Sequence, residues 1–225
     1  MAATVLLIFA RIEDLHSYTQ QTLIVAHIHT HNTPRMFRAR SDVPTVSPSG
    51  GVFYDLGCGT GKPVFAAAAA SAPGGLFRRC VGVEILGGLH DICQKALERW
   101  NQGAKDAVAG RGPAAEVEFV CGDFTVLDWS DGDLVFANST CFDEVLMRNL
   151  ARGAEALKEG AIVVTTTDPL PSAAFEVVQE TVMTQAGRSA TSCFVQRRLP
   201  KPPRPAERSS DRHHVDDIHG RTLSS

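Results

Sequence analysis

Asp55-Leu56-Gly57-Cys58-Gly59-Thr60-Gly61 stands between an apolar run, Gly51-Val52-Phe53-Tyr54-Asp55, and an alanine-rich segment from Val64 to Ala72. Pro63 is suited to the first turn of a helix over that segment, so the unit reads as strand, glycine loop, helix. Glycines let the backbone turn sharply and approach a ligand with no β-carbon in the way. A phosphate-cradling P-loop needs four residues between its first glycine and a Gly-Lys pair, then a hydroxyl. Here Lys62 follows a shorter loop and Pro63 replaces the hydroxyl. A strict dinucleotide fingerprint needs glycine where Lys62 stands, so that reading fails too. The remaining pattern, D-x-G-x-G-x-G, is the one used for S-adenosylmethionine, whose ammonium a carboxylate such as Asp55 can bind directly or through water. A purely structural glycine turn is its alternative.

Outward from that loop, strands alternate with helices. Cys80 to Glu84 reads as a second strand, followed by a helix through Leu89, Ile92, Leu97 and Trp100. Glu116–Cys121, Asp133–Ala137 and Ala161–Thr167 read as further strands, with a helix around Glu144 to Leu157 between the last two. Phe175–Thr184 and Thr191–Arg198 have no helix between them and read as an antiparallel pair. The expectation is an α/β, Rossmann-like sheet of seven strands, mostly parallel, with helices on both faces and a ligand beyond the carboxyl ends of its strands. Turn-rich residues 43–51 and the proline-rich run from Leu199 bound it. This divides the chain into an N-terminal extension over 1–50, a catalytic domain over 51–198 and a tail over 199–225 expected to be disordered.

The strand ends carry polar groups in an order that suits a nucleoside. Glu84 closes V-G-V-E, where a carboxylate can accept from both ribose hydroxyls; a solvated strand end is the alternative. Asp123 in C-G-D-F can accept from an adenine amino group while Phe124 packs on the purine. Asn138, after the fourth strand, offers a carbonyl oxygen that can orient an amine; a turn cap is the competing account.

The runs D-L-G-C-G-T-G-K-P (55–63), V-G-V-E (81–84), V-C-G-D-F (120–124), V-F-A-N-S-T-C-F-D-E-V (135–145) and L-K-E-G-A-I-V-V-T-T-T-D-P-L (157–170) together resemble one family. It is the Dot-one family of histone lysine methyltransferases that lack a SET domain, and the likeness is to its compact, kinetoplastid-type members. The resemblance covers about residues 51–198 and implies a class I S-adenosylmethionine-dependent methyltransferase acting on a lysine of a nucleosomal core histone, in the nucleus. It places Asp55, Gly57, Gly59, Gly61, Glu84, Asp123, Phe124 and Asn138 at the cofactor. Asn138 and Phe142 stand at the lysine channel, with Phe124 and Phe142 as its walls. Ser139 departs from the family's second asparagine, and residues 1–50 hold no Tyr-Gly-Glu loop. A small-molecule or non-histone acceptor, or an inactive cofactor-binding homologue, are the alternatives.

Composition fits this reading. A hydrophobic share of 44% with 21% charged residues over 225 residues excludes wholesale disorder, and a net charge of -3 does not advertise nucleic-acid binding. The local basic patch is Arg35, Arg38 and Arg40, which could meet DNA or a nucleosome surface. The six cysteines form no C-x-x-C pair, so buried reduced thiols are expected rather than a zinc site or disulfides. His27, His29 and His31 share one strand face at metal-capable spacing, but no carboxylate or thiol accompanies them and no metal is expected. Val5 to Ala10 is too short for a signal peptide or membrane span.

Overall fold

A computed structural model of the chain describes residues 50–71, 76–109, 115–184 and 190–201. Residues 1–49 of the expected N-terminal extension, with its histidines and arginines, and the tail from residue 202 lie outside the described residues.

The elements run β1 (Gly51–Leu56), α1 (Lys62–Ser71), β2 (Phe77–Glu84), α2 (Gly87–Arg99), a π turn (Trp100–Ala104), α3 (Lys105–Ala109), β3 (Glu116–Cys121), β4 (Leu134–Ala137), a 3-10 turn (Ser139–Cys141), α4 (Glu144–Ala154), β5 (Ile162–Thr166), β6 (Phe175–Thr184) and β7 (Ala190–Arg198). They build the expected seven-stranded sheet, in the order β3-β2-β1-β4-β5-β7-β6. The first five strands of that order are parallel, and β7 pairs antiparallel with both β5 and β6. All parallel carboxyl ends therefore open on one edge.

β1 lies at the centre of the five parallel strands and is buried along its whole length. Strand alternation splits the core in two. Phe53, Cys80, Leu134, Phe136, Val164 and Val195 face α1 and α2. Val52, Tyr54, Leu56, Val81, Val135 and Val163 face α4. Packing on the α1 side is close enough that a β-carbon on Gly82 would lie 2.7 Å from both Cys58 Sγ and the Phe119 ring. That glycine is demanded by approach rather than by a turn.

α4 starts on a side-chain cap, Leu146 N donating to Asp143 Oδ1 at 2.8 Å. It stops earlier than the sequence pattern implied. Ala156 N and Leu157 N donate three residues back, to the carbonyls of Gly153 and Ala154, tightening the last turn. The buried-thiol expectation holds for Cys58, Cys80, Cys93 and Cys193, all free, but not for Cys121 and Cys141. Both of those are exposed, because they sit at the carboxyl rim of the sheet where side chains leave the core.

Candidate active site

The glycine loop is pinned under the tip of β2. Gly57 N and Cys58 N both donate to the Val83 carbonyl, at 2.9 and 3.0 Å, and Gly61 N closes a turn onto the Cys58 carbonyl. Gly59 has φ +57° and Gly61 φ +76°, in the left-handed region where an L side chain is strained. Space separates their roles. A β-carbon on Gly59 would meet nothing within 4 Å, whereas one on Gly61 would lie 2.5 Å from the Phe119 ring. Gly59 thus keeps a surface open, and Gly61 lets the loop sit down on the core.

Asp55 pairs across the sheet with Gly82 on one side and Phe136 on the other. It is 1% exposed, and its Oδ2 has no hydrogen-bond partner. Burial, reinforced by the nearby Glu84 carboxylate, pushes its pKa up to about 8.

Glu84 differs from the strand-end carboxylate imagined from sequence. It is buried, with Oε2 accepting from Gly59 N at 2.8 Å and Oε1 from Leu86 N at 2.9 Å. The carboxylate therefore props the glycine loop against the start of α2. Each of its oxygens still has acceptor capacity.

The tip of β3 carries Asp123, whose Oδ1 accepts from Thr125 N at 2.8 Å. Its other oxygen takes no hydrogen bond among the described residues. Phe124 is anchored through its carbonyl, which accepts from Trp129 Nε1 at 2.9 Å. The Phe124 ring stacks on Phe142, centroids 5.7 Å apart and planes at 21°. Phe142 also lies 3.8 Å from the point a β-carbon on Gly57 would occupy. Segments that follow β1, β3 and β4 thereby meet at one place. Beside them Ile85, Leu86, Val126 and Leu127 leave apolar surface exposed on the loops after β2 and β3.

At the tip of β4 the side chain of Asn138 makes no cap to the 3-10 turn that it precedes. Instead its Oδ1 accepts from Thr140 Oγ1 and from Thr166 Oγ1, each at 3.0 Å, and the two hydroxyl oxygens are 3.1 Å apart. The carbonyl oxygen that sequence alone assigned to a ligand is thus already engaged. Ser139 is buried and clasps Thr166 at both ends, its Oγ donating to the carbonyl and accepting from the amide. Behind them Thr165 Oγ1, Gln196 and Leu170 N form a chain of hydrogen bonds that ties the loop after β5 to β7. The sequence reading did not single out Thr140 or Thr166, and it marked Ser139 only as a departure from the family's second asparagine. The only signal was a run of hydroxyl residues after two neighbouring strands.

Four strand tips thus bring Asp55, Glu84, Asp123, Phe124, Asn138, Phe142 and the three loop glycines to one edge. The chemistry on offer is that of acceptors, exposed apolar surface and stacked rings. Among the described residues there is no cluster of three His, Cys, Asp or Glu able to hold a metal. The donor set fits S-adenosylmethionine. A buried carboxyl with an orphaned oxygen answers an ammonium, and the open face of Gly59 answers a close ligand. The Asp123 oxygen and the apolar rim answer a purine.

The sheet resembles those of solved methyltransferases. An rRNA methyltransferase from Streptomyces viridochromogenes has a TM-score of 0.51 at 15% identity, over 78% of this chain and 84% of that one. A Haemophilus influenzae protein described as a methylase has a TM-score of 0.51 at 12% identity, over 68% and 89%. An RNA methyltransferase from Salinibacter ruber, in complex with S-adenosylhomocysteine, has a TM-score of 0.47 at 22% identity, over 69% and 85%. No curated protein matches the sequence. The first two likenesses give the fold, that of the class I S-adenosylmethionine-dependent methyltransferases. The family described as histone methylation protein DOT1 matches residues 12–192. With its order of motifs carried on that sheet, this chain belongs to the DOT1 family of histone methylation proteins.

Proposed function

We propose that this protein is a histone lysine methyltransferase that acts on a core histone within the nucleosome, and hence in the nucleus. The observation that carries the reading is the meeting of Gly57, Phe124 and Phe142 at the common carboxyl edge of a parallel sheet, the edge on which Asn138 also stands. When bound, S-adenosylmethionine supplies a methyl group on a cationic sulfur, to be received in line by a neutral amine.

Asp55 receives the cofactor's ammonium, directly or through water, and is ionised by it. Glu84 keeps the glycine loop in place and turns its remaining lone pairs to the ribose. Asp123 takes the adenine amino group, and Phe124 packs against the purine. Phe142 lines the way in for the lysine chain, and Asn138 stands where the amine arrives.

The energetic demand falls on the proton. A free lysine with pKa ~10.4 costs about 4 kcal/mol to deprotonate near neutral pH. A narrow apolar passage with the stacked Phe124 and Phe142 rings in its wall lowers that figure, since desolvation disfavours the ammonium. No group is assigned as general base, and the proton passes to solvent. Arg35, Arg38 and Arg40 supply the local basic cluster for DNA or the nucleosome surface.

The test offers labelled cofactor together with nucleosomes, free histones and a small-metabolite mixture. Label is expected on a core histone and in greatest amount from nucleosomes. Label confined to small molecules or non-histone protein, or none at all, overturns the reading.

A further inference from the structure

We infer that Thr140 Oγ1 and Asn138 Oδ1 are the acceptors that receive the N–H groups of the substrate amine, with the buried Thr166 hydroxyl as their positioning residue. This rests on the methyltransferase reading above and names the groups that hold its acceptor.

The argument is a count of hydrogens. Three oxygens, Asn138 Oδ1, Thr140 Oγ1 and Thr166 Oγ1, form a triangle with edges of 3.0, 3.0 and 3.1 Å. Each threonine hydroxyl carries one hydrogen and the amide oxygen carries none. Three contacts therefore share two hydrogens. When Thr166 donates to Thr140 and Thr140 donates to Asn138, the Asn138–Thr166 edge has no proton, and Asn138 Oδ1 and Thr140 Oγ1 each keep a free lone pair. A cluster short of hydrogens is a receptor for N–H donors rather than for another acceptor.

Exposure says which corners a ligand reaches. Asn138 and Thr140 are exposed, whereas Thr166 is 0% exposed. Thr166 cannot swing away, because Ser139 holds its amide and its carbonyl, and Thr167, at φ +72°, turns the chain immediately after it. An amine that gives two N–H groups to Thr140 and Asn138 leaves its lone pair pointing away from the oxygens. The triangle also has no formal charge. It therefore orders the amine without the stabilisation of ammonium that a carboxylate would give.

The test uses the full chain saturated with S-adenosylhomocysteine and titrated with n-butylamine, read by NMR of labelled threonine methyl groups. Saturable shifts at Thr140 and Thr166 are expected. Thr140→Val should weaken amine binding about tenfold, the scale of one lost hydrogen bond. Thr140→Ser should restore it, and S-adenosylhomocysteine affinity should stay unchanged in both. Thr166→Val and Thr166→Ser should repeat the pattern; if the buried valine variant fails to fold, the Thr140 pair decides alone. A wild type that binds no amine, or a Thr140→Val protein that binds it as well as wild type, overturns the inference. Threonine-dependent amine binding with no label on any histone upholds it and rejects the histone substrate instead.

Discussion

Asp55 is the residue whose chemistry is most out of step with its surroundings. It lies inside the sheet between Gly82 and Phe136 with Oδ2 unpartnered, and its pKa is raised from 3.8 to about 8. Unfolded, the group loses its proton near the lower value; folded, it keeps it to the higher one. Between those values the folded state binds more protons, so stability falls as pH rises from about 4 to about 8. Asp55→Asn should flatten that part of the curve, as followed by urea unfolding at a series of pH values. The same shift makes cofactor binding proton-linked. An ammonium beside Asp55 favours the carboxylate, so binding at neutral pH should release a proton and affinity should climb towards pH 8. Calorimetry in buffers of differing ionisation enthalpy reads this directly. Heats independent of buffer would contradict Asp55 as the ammonium's partner, and Asp55→Asn should abolish the release. Asn138 makes a different kind of prediction, because its contacts are with Thr140 and Thr166 rather than with the glycine loop. Asn138→Ala should lower kcat by on the order of a hundredfold, in the range of a lost transition-state contact. Cofactor affinity should barely change, and an unaltered kcat would remove Asn138 from the mechanism.

At the scale of elements, the carboxyl edge of the sheet holds the site while the opposite end is tied down by Arg198 at the end of β7. Its guanidinium is buried and donates to the carbonyls of Ala174, Leu199 and Glu155, the last being the cap residue of α4. The group also lies over the Phe175 ring. A cation at a helix carboxyl end is favourable, and carbonyls left without donors are costly. Arg198→Met keeps the apolar stem and should cost about 3 kcal/mol, seen as a lower urea midpoint at unchanged slope. A loss below ~1 kcal/mol would mean that water replaces the guanidinium. Strands and helices of this kind were legible in the sequence because periodicity and glycine placement are local. β1, β3 and β6 appear where the apolar runs stood, and the loop after β1 has the conformation its glycines imply. What was not legible depends on residues distant in the chain. An alternating pair at the end of the chain does not say that β7 inserts between β5 and β6. Glu84 faces inward because Gly59 N, 25 residues earlier, reaches it first. Asn138 turns to Thr166 across 28 residues, a choice made by the register of β4 on β5.

In the whole molecule, the candidate ligand site belongs to no single element. Asp55 is on β1, Glu84 on β2, Asp123 and Phe124 follow β3, and Asn138 and Phe142 follow β4. Only the folded sheet holds these tips together, so the unfolded chain has no site and cofactor binding must appear as folding stability. At a cofactor concentration about a hundred times Kd the gain is about 2.7 kcal/mol. For a domain of about 150 residues that corresponds to a rise in Tm of roughly 5–10 °C. S-adenosylhomocysteine should produce a rise of that size. Asp123→Ala removes a single local hydrogen bond, from Thr125 N, so the unliganded Tm should fall only slightly, yet a higher ligand concentration should be needed to reach the same rise. Glu84→Gln is expected to behave differently: it weakens the brace on Gly59 and Leu86, and so should lower both the unliganded Tm and the ligand-induced increment. The two variants thus separate a group that chiefly touches the cofactor from one that also holds the glycine loop in shape. If Glu84→Gln melted like wild type without ligand, the brace would be negligible and Glu84 would be a ligand-binding group alone.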